Sequence, residues 1–241
     1  VRGRRNILFE GQVRTHIEVV NRVHTLSLNL TRTKMDASGI SQVTWSLQRA
    51  PALRSLSLYL RGCRVGADGA QALAQLQQAT NLQTLSLDLV FNDVSSDGAC
   101  ALATLKNAPN LRSLTLNLEA NNLGNAGAEA LAGLGSSPAL RRLNLNLADN
   151  GIGDTGAHAL AAFKDAGALH TLELDLTGNW IRNSGAEALA GLKKAPALRL
   201  LSLDLGDNHF GVVGLSALSS LKQKDSPVQT LLNLGRTYIC L

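Results

Sequence analysis

Three glycines, Gly151, Gly153 and Gly156, have the G-x-G-x-x-G spacing of a loop that binds the pyrophosphate of a dinucleotide. They follow an alternating, strand-like segment and precede a helix-like one, as such a loop requires. Glu173 and Asp175 lie about 20 residues further on, where a ribose-binding carboxylate would belong. If these residues formed one site, the protein would be an oxidoreductase.

The segments that would have to position these glycines recur along the chain. Six similar segments, each 29 residues after the last, begin at Leu53, Leu82, Leu111, Leu140, Leu169 and Leu198. A looser copy begins at Val23, and a short further strand begins near Val228. In this register only Gly156 falls at a position that is glycine in every copy, since Gly151 corresponds to Arg64 and Trp180 elsewhere. We therefore interpret the dinucleotide spacing as a coincidence.

Each copy combines two periodicities. The L-x-L-x-L run predicts a half-buried strand, and the A-x-A-L run behind the glycine predicts a helix. Short polar residues near that glycine are expected to bond the free amides of the first turn of the helix to which they belong. These residues are Asp68, Asp97, Asp154 and Ser184.

The copy from Leu111, LRSLTLNLEANNLGNAGAEALAGL, resembles a leucine-rich repeat of the ribonuclease-inhibitor-like class. It departs from the family pattern by one additional leucine, Leu118, which lengthens the strand segment by two residues and keeps later side chains on their original faces. Such lengthened repeats resemble those of large protist families. The resemblance implies an α/β solenoid, a curved horseshoe with a parallel sheet on the concave face and helices on the convex face. It also implies a structural ladder formed by Asn92, Asn121, Asn150, Asn179 and Asn208. At the beginning of the array, Cys63 and Thr33 occupy the ladder position.

Composition and charge limit the remaining possibilities. The net charge of +5 resides entirely in the first 34 residues. We interpret residues 1–22 as a basic segment and cap. Residues 23–241 are interpreted as an array of about seven repeats plus a partial strand. Nucleic acid is not expected as a partner except through that segment. The three cysteines suggest buried, reduced thiols and an intracellular protein, cytoplasmic or organellar. No run is long enough for a membrane helix.

Function is expected on outward-facing strand residues, because the core does not dictate their identity. The position after the first leucine is mostly basic, and the position near the strand end is mostly amide or acidic, about 17 Å away. Two explanations stay open: binding of a partner with complementary charge, or inheritance by duplication. The candidate concave-face residues are Arg54, Tyr59, Asp88, Arg112, Asn117, Arg141, Asn146, Glu173, Asp175, Arg199 and Asp204.

The sequence offers no catalytic residue, cofactor site or metal site. Its five histidines have no neighbouring acid–nucleophile arrangement, and the acids at loop ends, Asp149, Asp175, Asp204 and Asp207, are interpreted as solvated rather than as Ca²⁺ ligands. Trp45 is expected to pack within the first repeat, whereas Trp180 lies in a loop and could anchor a partner.

We therefore expect a non-catalytic scaffold or adaptor, a subunit of a larger assembly. The alternative is a regulatory or inhibitory module that acts on an enzyme or GTPase. Val13, Ile17 and Val20 suggest a cap helix over residues 11–22. The apolar end at Ile239, Cys240 and Leu241 suggests that another chain covers it or that the protein continues.

Overall fold

Alternating leucines begin each repeat as a strand, because successive side chains of a strand point to opposite faces. The computed structural model describes residues 6–7, 23–33, 35–222 and 228–235. Its strands are β1 Asn6–Ile7, β2 Thr25–Asn29, β3 Ser55–Tyr59, β4 Thr84–Asp88, β5 Ser113–Asn117, β6 Arg142–Asn146, β7 Thr171–Asp175, β8 Leu200–Asp204 and β9 Gln229–Asn233. Its helices are α1 Ala37–Gln48, α2 Gly66–Ala74, α3 Ser95–Ala103, α4 Gly124–Ala132, α5 Asp154–Leu160, α6 Asn183–Ala190 and α7 Val212–Ser219. Each helix from α2 to α7 continues into a 3-10 turn.

The strands form one open sheet in chain order, and every strand pairs in parallel with the next. The leucines stay in register, so that Leu85 of β4 lies opposite Leu56 of β3 and Leu114 of β5. These leucines and those of the helices form one core between the sheet and the helices. The predicted α/β solenoid is confirmed, and the short β1 is an element that the sequence did not predict.

A column of glycines lets neighbouring helices approach closely. A Cβ atom at Gly98 of α3 would lie 2.6 Å from Val94 Cγ1 and 3.0 Å from Ala70 Cβ of α2. Any larger residue would therefore force α2 and α3 apart. The sequence predicts only that a helix lies behind this glycine; the structure gives the glycine a steric role, which is to let two helices pack together.

The prediction that polar residues cap their own helices is wrong for α2 and α3. Neither helix has a side-chain cap, although Asp68 and Asp97 lie in their first turns. Among the described helices, α1 does follow that rule, because Asp36 Oδ1 accepts a hydrogen bond from Gly39 N at 2.8 Å.

Capping in the later repeats crosses from one repeat to the next. Asp154 Oδ1 accepts from the amides of Arg182 (2.7 Å) and Gly185 (2.9 Å), which begin α6, rather than from the amides of its own helix α5. Asn125 caps α5 and Asn183 caps α7 through the same pair of positions. The first turn of one helix thus supplies the cap of the following helix.

The last strand does not follow the leucine pattern. The register places Thr230 opposite the core residue Leu201 and Leu231 opposite the outward residue Ser202. Thr230 Oγ1 is consequently buried without a hydrogen-bond partner, and Leu231 is 53% exposed. The terminal residues Ile239, Cys240 and Leu241, and the cap predicted over residues 11–22, lie outside the described residues.

The cysteines differ from the expectation that all are buried. Cys63 is buried, whereas Cys100 is exposed on α3, and neither forms a disulfide. Within the described ranges, no helix has the length and apolar character needed to cross a membrane.

Candidate functional site

Two glycine amides of the G-x-G-x-x-G segment have hydrogen-bond partners inside the protein. Gly153 N and Gly156 N both donate to Asn125 Oδ1, at 2.8 and 3.0 Å, through the cross-repeat cap. The ring of Trp180 lies over Gly151, 3.7 Å from the position that a Cβ atom would take. Two of the three glycine amides are thus engaged within the protein and the ring of Trp180 lies over the third glycine, as expected if the spacing is a coincidence.

We call the sheet surface that faces away from the helices the open face. A second, mostly basic row lies immediately before the strands, along the edge of the sheet where they begin, and is called the arginine row. The row consists of His24, Arg54, Gln83, Arg112, Arg141, His170 and Arg199, joined by backbone bonds such as Arg141 N to Arg112 O at 2.9 Å. Arg54, Arg112 and Arg199 are exposed, and none forms an ion pair with another described residue. Arg141 is half-buried and its guanidinium donates to Pro138 O at 2.8 Å. Among the residues that the structure describes, no carboxylate pairs with the exposed arginines of this row.

The strand-end row serves the backbone of the protein itself. Asp175 Oδ1 accepts from Thr177 N, and Asp204 Oδ1 accepts from Gly206 N, each at 3.0 Å. These contacts are Asx turns, in which a short side chain ends a strand by bonding the amide two residues on. The same bond is made by Asn29, Asp88, Asn117, Asn146 and Asn233. Tyr59 is the exception in this row, and its ring is 42% exposed.

The middle of the open face is a floor of small polar side chains. Ser57, Ser86 and Thr115 lie in register on β3 to β5, all partly exposed. Further along the row, Asn144 Nδ2 of β6 donates a hydrogen bond to Glu173 Oε2 of the neighbouring β7 at 2.6 Å. The carboxylate of Glu173 is therefore engaged within the sheet.

Arg142 is a functional candidate that the sequence analysis missed. It is exposed at the start of β6, beside Arg141, and its register partners on β5 and β7 are Ser113 and Thr171. The signal in the sequence is that Arg142 is the charged residue of a column otherwise made of Thr25, Ser55, Thr84, Ser113, Thr171, Leu200 and Gln229.

The asparagines assigned to the ladder bond the loops of adjacent repeats. Asn150 Oδ1 accepts from Asn121 N (3.0 Å) and Leu123 N (3.2 Å), and its Nδ2 donates to Leu118 O and Ala148 O, both at 2.9 Å. Asn92, Asn121, Asn179 and Asn208 make corresponding bonds. Cys63 takes this position in its repeat and donates its thiol to Leu30 O at 2.9 Å.

The loops after the strands expose several aromatic rings. Phe91 is 55% exposed beneath the guanidinium of Arg61, whose Cζ lies 5.3 Å from the ring centre, and Trp180 is 68% exposed. Trp45 was expected to pack, but it is 50% exposed with Arg49 above its ring.

A histidine and a serine meet on the helix side. Ser184 Oγ lies 3.5 Å from His158 Nε2, and His158 Nδ1 contacts the backbone carbonyl of Asp154 at 2.7 Å. Ser184 was predicted as a cap and contacts the histidine instead. Both side chains are exposed, and a backbone carbonyl contacts His158 Nδ1, where a catalytic triad would have its orienting acid. Within the described part of the chain, no group of three His, Cys, Asp or Glu residues could hold a metal ion.

Comparisons with known proteins address the repeats. A family model described as a leucine rich repeat matches residues 54–74, 80–103, 110–132, 141–161, 168–190 and 200–219, more than half of the chain. A crystal structure of an internalin from Listeria monocytogenes is similar, with 17% sequence identity and a TM-score of 0.35 over 81% of this chain. The match spans 65% of the internalin chain. No curated protein matches the sequence.

Proposed function

Because this chain belongs to the leucine-rich repeat family, we propose that it is a non-catalytic scaffold or adaptor that binds a protein partner on its open face. Leucine-rich repeat domains generally mediate protein–protein interaction and are typically non-catalytic. One observation carries the choice of surface: the exposed arginines of the arginine row have no ion pair within the described chain, beside a floor of small side chains. The strand-end carboxylates contribute less, since their oxygens are engaged by the backbone.

The proposed partner carries an acidic stripe on a helix. Neighbouring strands are about 4.8 Å apart, so Arg112 and Arg199, three strands apart, are separated by about 14 Å. A helix lying across the strands advances about 16 Å in three turns, so one carboxylate per turn stays within reach of the long arginine side chains. Alternate residues of an extended segment would span about 20 Å over the same three steps and lose this match.

The rest of the assignment is proposed on the same basis. We place the repeats in the ribonuclease-inhibitor-like class in a lengthened, 29-residue form, supported by ladder bonds that join residues 29 apart. We also propose an intracellular location, supported by the unpaired thiols of Cys63 and Cys100, and a role as subunit of a larger assembly. Residues 1–22 would then cap an array that extends from residue 23.

Charge reversal on the open face tests this function. The variant Arg54→Glu, Arg112→Glu, Arg199→Glu should lose a partner that the wild-type chain retains on an affinity column, without a lower unfolding midpoint. A matched variant on the helix side, Lys164→Glu, Lys193→Glu, Lys194→Glu, carries the same change of charge and should retain that partner. If the two variants retain the same proteins as the wild type, the open face is not the binding surface.

A further inference from the structure

The loops at the carboxyl ends of the strands form a continuous row, here called the loop edge. Backbone bonds join each loop to the next, as from Gly62 N to Val90 O and from Ala120 N to Ala148 O. One position of this row has a positive φ in every described repeat: Arg32, Gly62, Phe91, Ala120, Asp149, Gly178 and Asp207. Five of these residues are not glycine, so the edge keeps side chains at positions that favour glycine.

Phe91 has no structural reason to be aromatic. Its φ is 55°, a region that is costly for a bulky side chain, and its ring is more than half exposed instead of packed in the core. An exposed aromatic ring on a strained backbone, with an arginine above it, has the features of a residue that anchors a protein–protein interface. Trp180, three repeats further on, is the most exposed large apolar side chain among the described residues.

The charges of the loop edge are arranged with opposite signs at its two ends. Arg61 and Arg64 lie after β3, whereas Asp204 is the last residue of β8 and Asp207 lies after it. Closer to the middle, Asp93 follows β4 and Arg182 follows β7. Within the described chain none of these side chains forms an ion pair.

We propose that the loop edge binds a second copy of this chain through a two-fold axis that passes between β5 and β6. Such an axis reverses the order of the loops, so the loop after β3 meets the partner's loop after β8, and the loop after β4 meets the partner's loop after β7. Arg64 then faces Asp207, Asp93 faces Arg182, and Phe91 lies against the Trp180 loop. All three matches come from one placement of the axis.

The dimer is weak and salt-dependent. The edge from β3 to β8 is about 24 Å long and one loop wide, which gives each partner less than the roughly 800 Å² of a standard interface. Glu119 and Asp149 face each other near the axis and oppose association. The peripheral charge pairs set the orientation of the two copies, and added salt screens them.

Two single substitutions test the arrangement because the row already tolerates the new residues. Arg64→Asp places an aspartate where the next repeat has Asp93, and Asp207→Arg places an arginine where an earlier repeat has Arg32, all with positive φ. In sedimentation equilibrium of the whole chain, each variant alone should dissociate at about tenfold higher concentration than the wild type. An equimolar mixture of the two variants should restore wild-type association, because each copy then supplies the charge that the other copy needs.

Two further variants separate the dimer from other effects. Phe91→Gly should weaken association while leaving the unfolding midpoint equal or higher, since glycine relieves the backbone. Arg54→Glu in the arginine row should leave association of the two copies unchanged. The dimer and the proposed partner binding are therefore tested independently of each other. A wild-type chain that stays monomeric at all concentrations, or a mixture that does not regain association, overturns the proposal.

Discussion

Asparagine or aspartate recurs at three positions of the repeat, namely the ladder, the strand end and the cross-repeat cap, and hydrogen bonds distinguish these positions. The ladder position needs an acceptor and a donor, because Asn150 accepts from two amides and donates to two carbonyls. The strand-end position and the cross-repeat cap need only an acceptor. Accordingly the five repeats from Asn92 to Asn208 all have asparagine in the ladder, whereas their strand end is either asparagine or aspartate, and the cross-repeat caps are made by Asn125, Asp154 and Asn183.

At the residue scale, opposite isosteric changes should therefore give unequal results. Asn150→Asp places a carboxylate against Leu118 O and Ala148 O and should lower the free energy of unfolding by about 3 kcal/mol. Asp175→Asn keeps the acceptor of the Asx turn and removes a like charge beside Asp204, so the change should stay within about 0.5 kcal/mol. Urea unfolding at neutral pH measures both. Equal effects would contradict the distinction between the two positions.

At the scale of elements, the residue at the cap position of one repeat determines the backbone conformation of the loop in the next repeat. Where the cap position is Ala67 or Ser96, the next helix begins at a residue with left-handed φ, Ser95 or Gly124 respectively. Where it is Asn125, Asp154 or Asn183, the residue before the next helix is extended, with φ between −92° and −112°. The cap therefore decides how the chain enters a neighbouring helix.

Removing the cap should cost more where the loop cannot change conformation. After Asn125→Ala, Gly153 can take a positive φ, so we expect a loss of about 1 kcal/mol in unfolding free energy. After Asp154→Ala, Arg182 resists that conformation, and the loss should be about 2 kcal/mol. Hydrogen exchange should quicken at the amides of the following repeat, Gly156 and Gly185 respectively. Faster exchange confined to the mutated repeat would rule out cross-repeat capping.

The limits of sequence-based prediction follow from this geometry. Strands, helices and the ladder were predictable, because their residues recur at a fixed spacing and act within one repeat or on its neighbour at that spacing. The caps were assigned to the wrong helices, since Asp154 precedes Gly156 in sequence but bonds the repeat beyond. Arg142 was missed because its column contains no other charged residue. Whether the arginines of the arginine row are paired depends on the position of every neighbouring carboxylate, which the sequence does not give.

At the scale of the whole molecule, each described repeat touches mainly its neighbours, so a defect in one repeat weakens the array locally. The buried hydroxyl of Thr230 on β9 is such an imperfection. Thr230→Val keeps the shape and removes the unsatisfied group, so it should raise the unfolding free energy by about 1 kcal/mol.

Hydrogen exchange should locate that gain at the end of the array. Amides of β8 and β9 should exchange more slowly in Thr230→Val, while those of β3 stay unchanged. Thr84→Val on the exposed side of β4 is the control and should change stability by less than about 0.5 kcal/mol. A gain spread evenly over all strands would instead indicate that the array unfolds as one unit.

The ladder bonds also bear on inheritance. Asn121 accepts from the amides of Asn92 and Val94, and Asn150 accepts from Asn121 and Leu123, with the same offsets of 29 and 27 residues. An unequal recombination event between two copies in the gene would add or remove one whole repeat, and every ladder asparagine would still find the amides of a neighbouring repeat at the same offsets. The number of repeats is therefore open to change by a single genetic event, and a lineage could lengthen its binding surface before any point mutation adapts it.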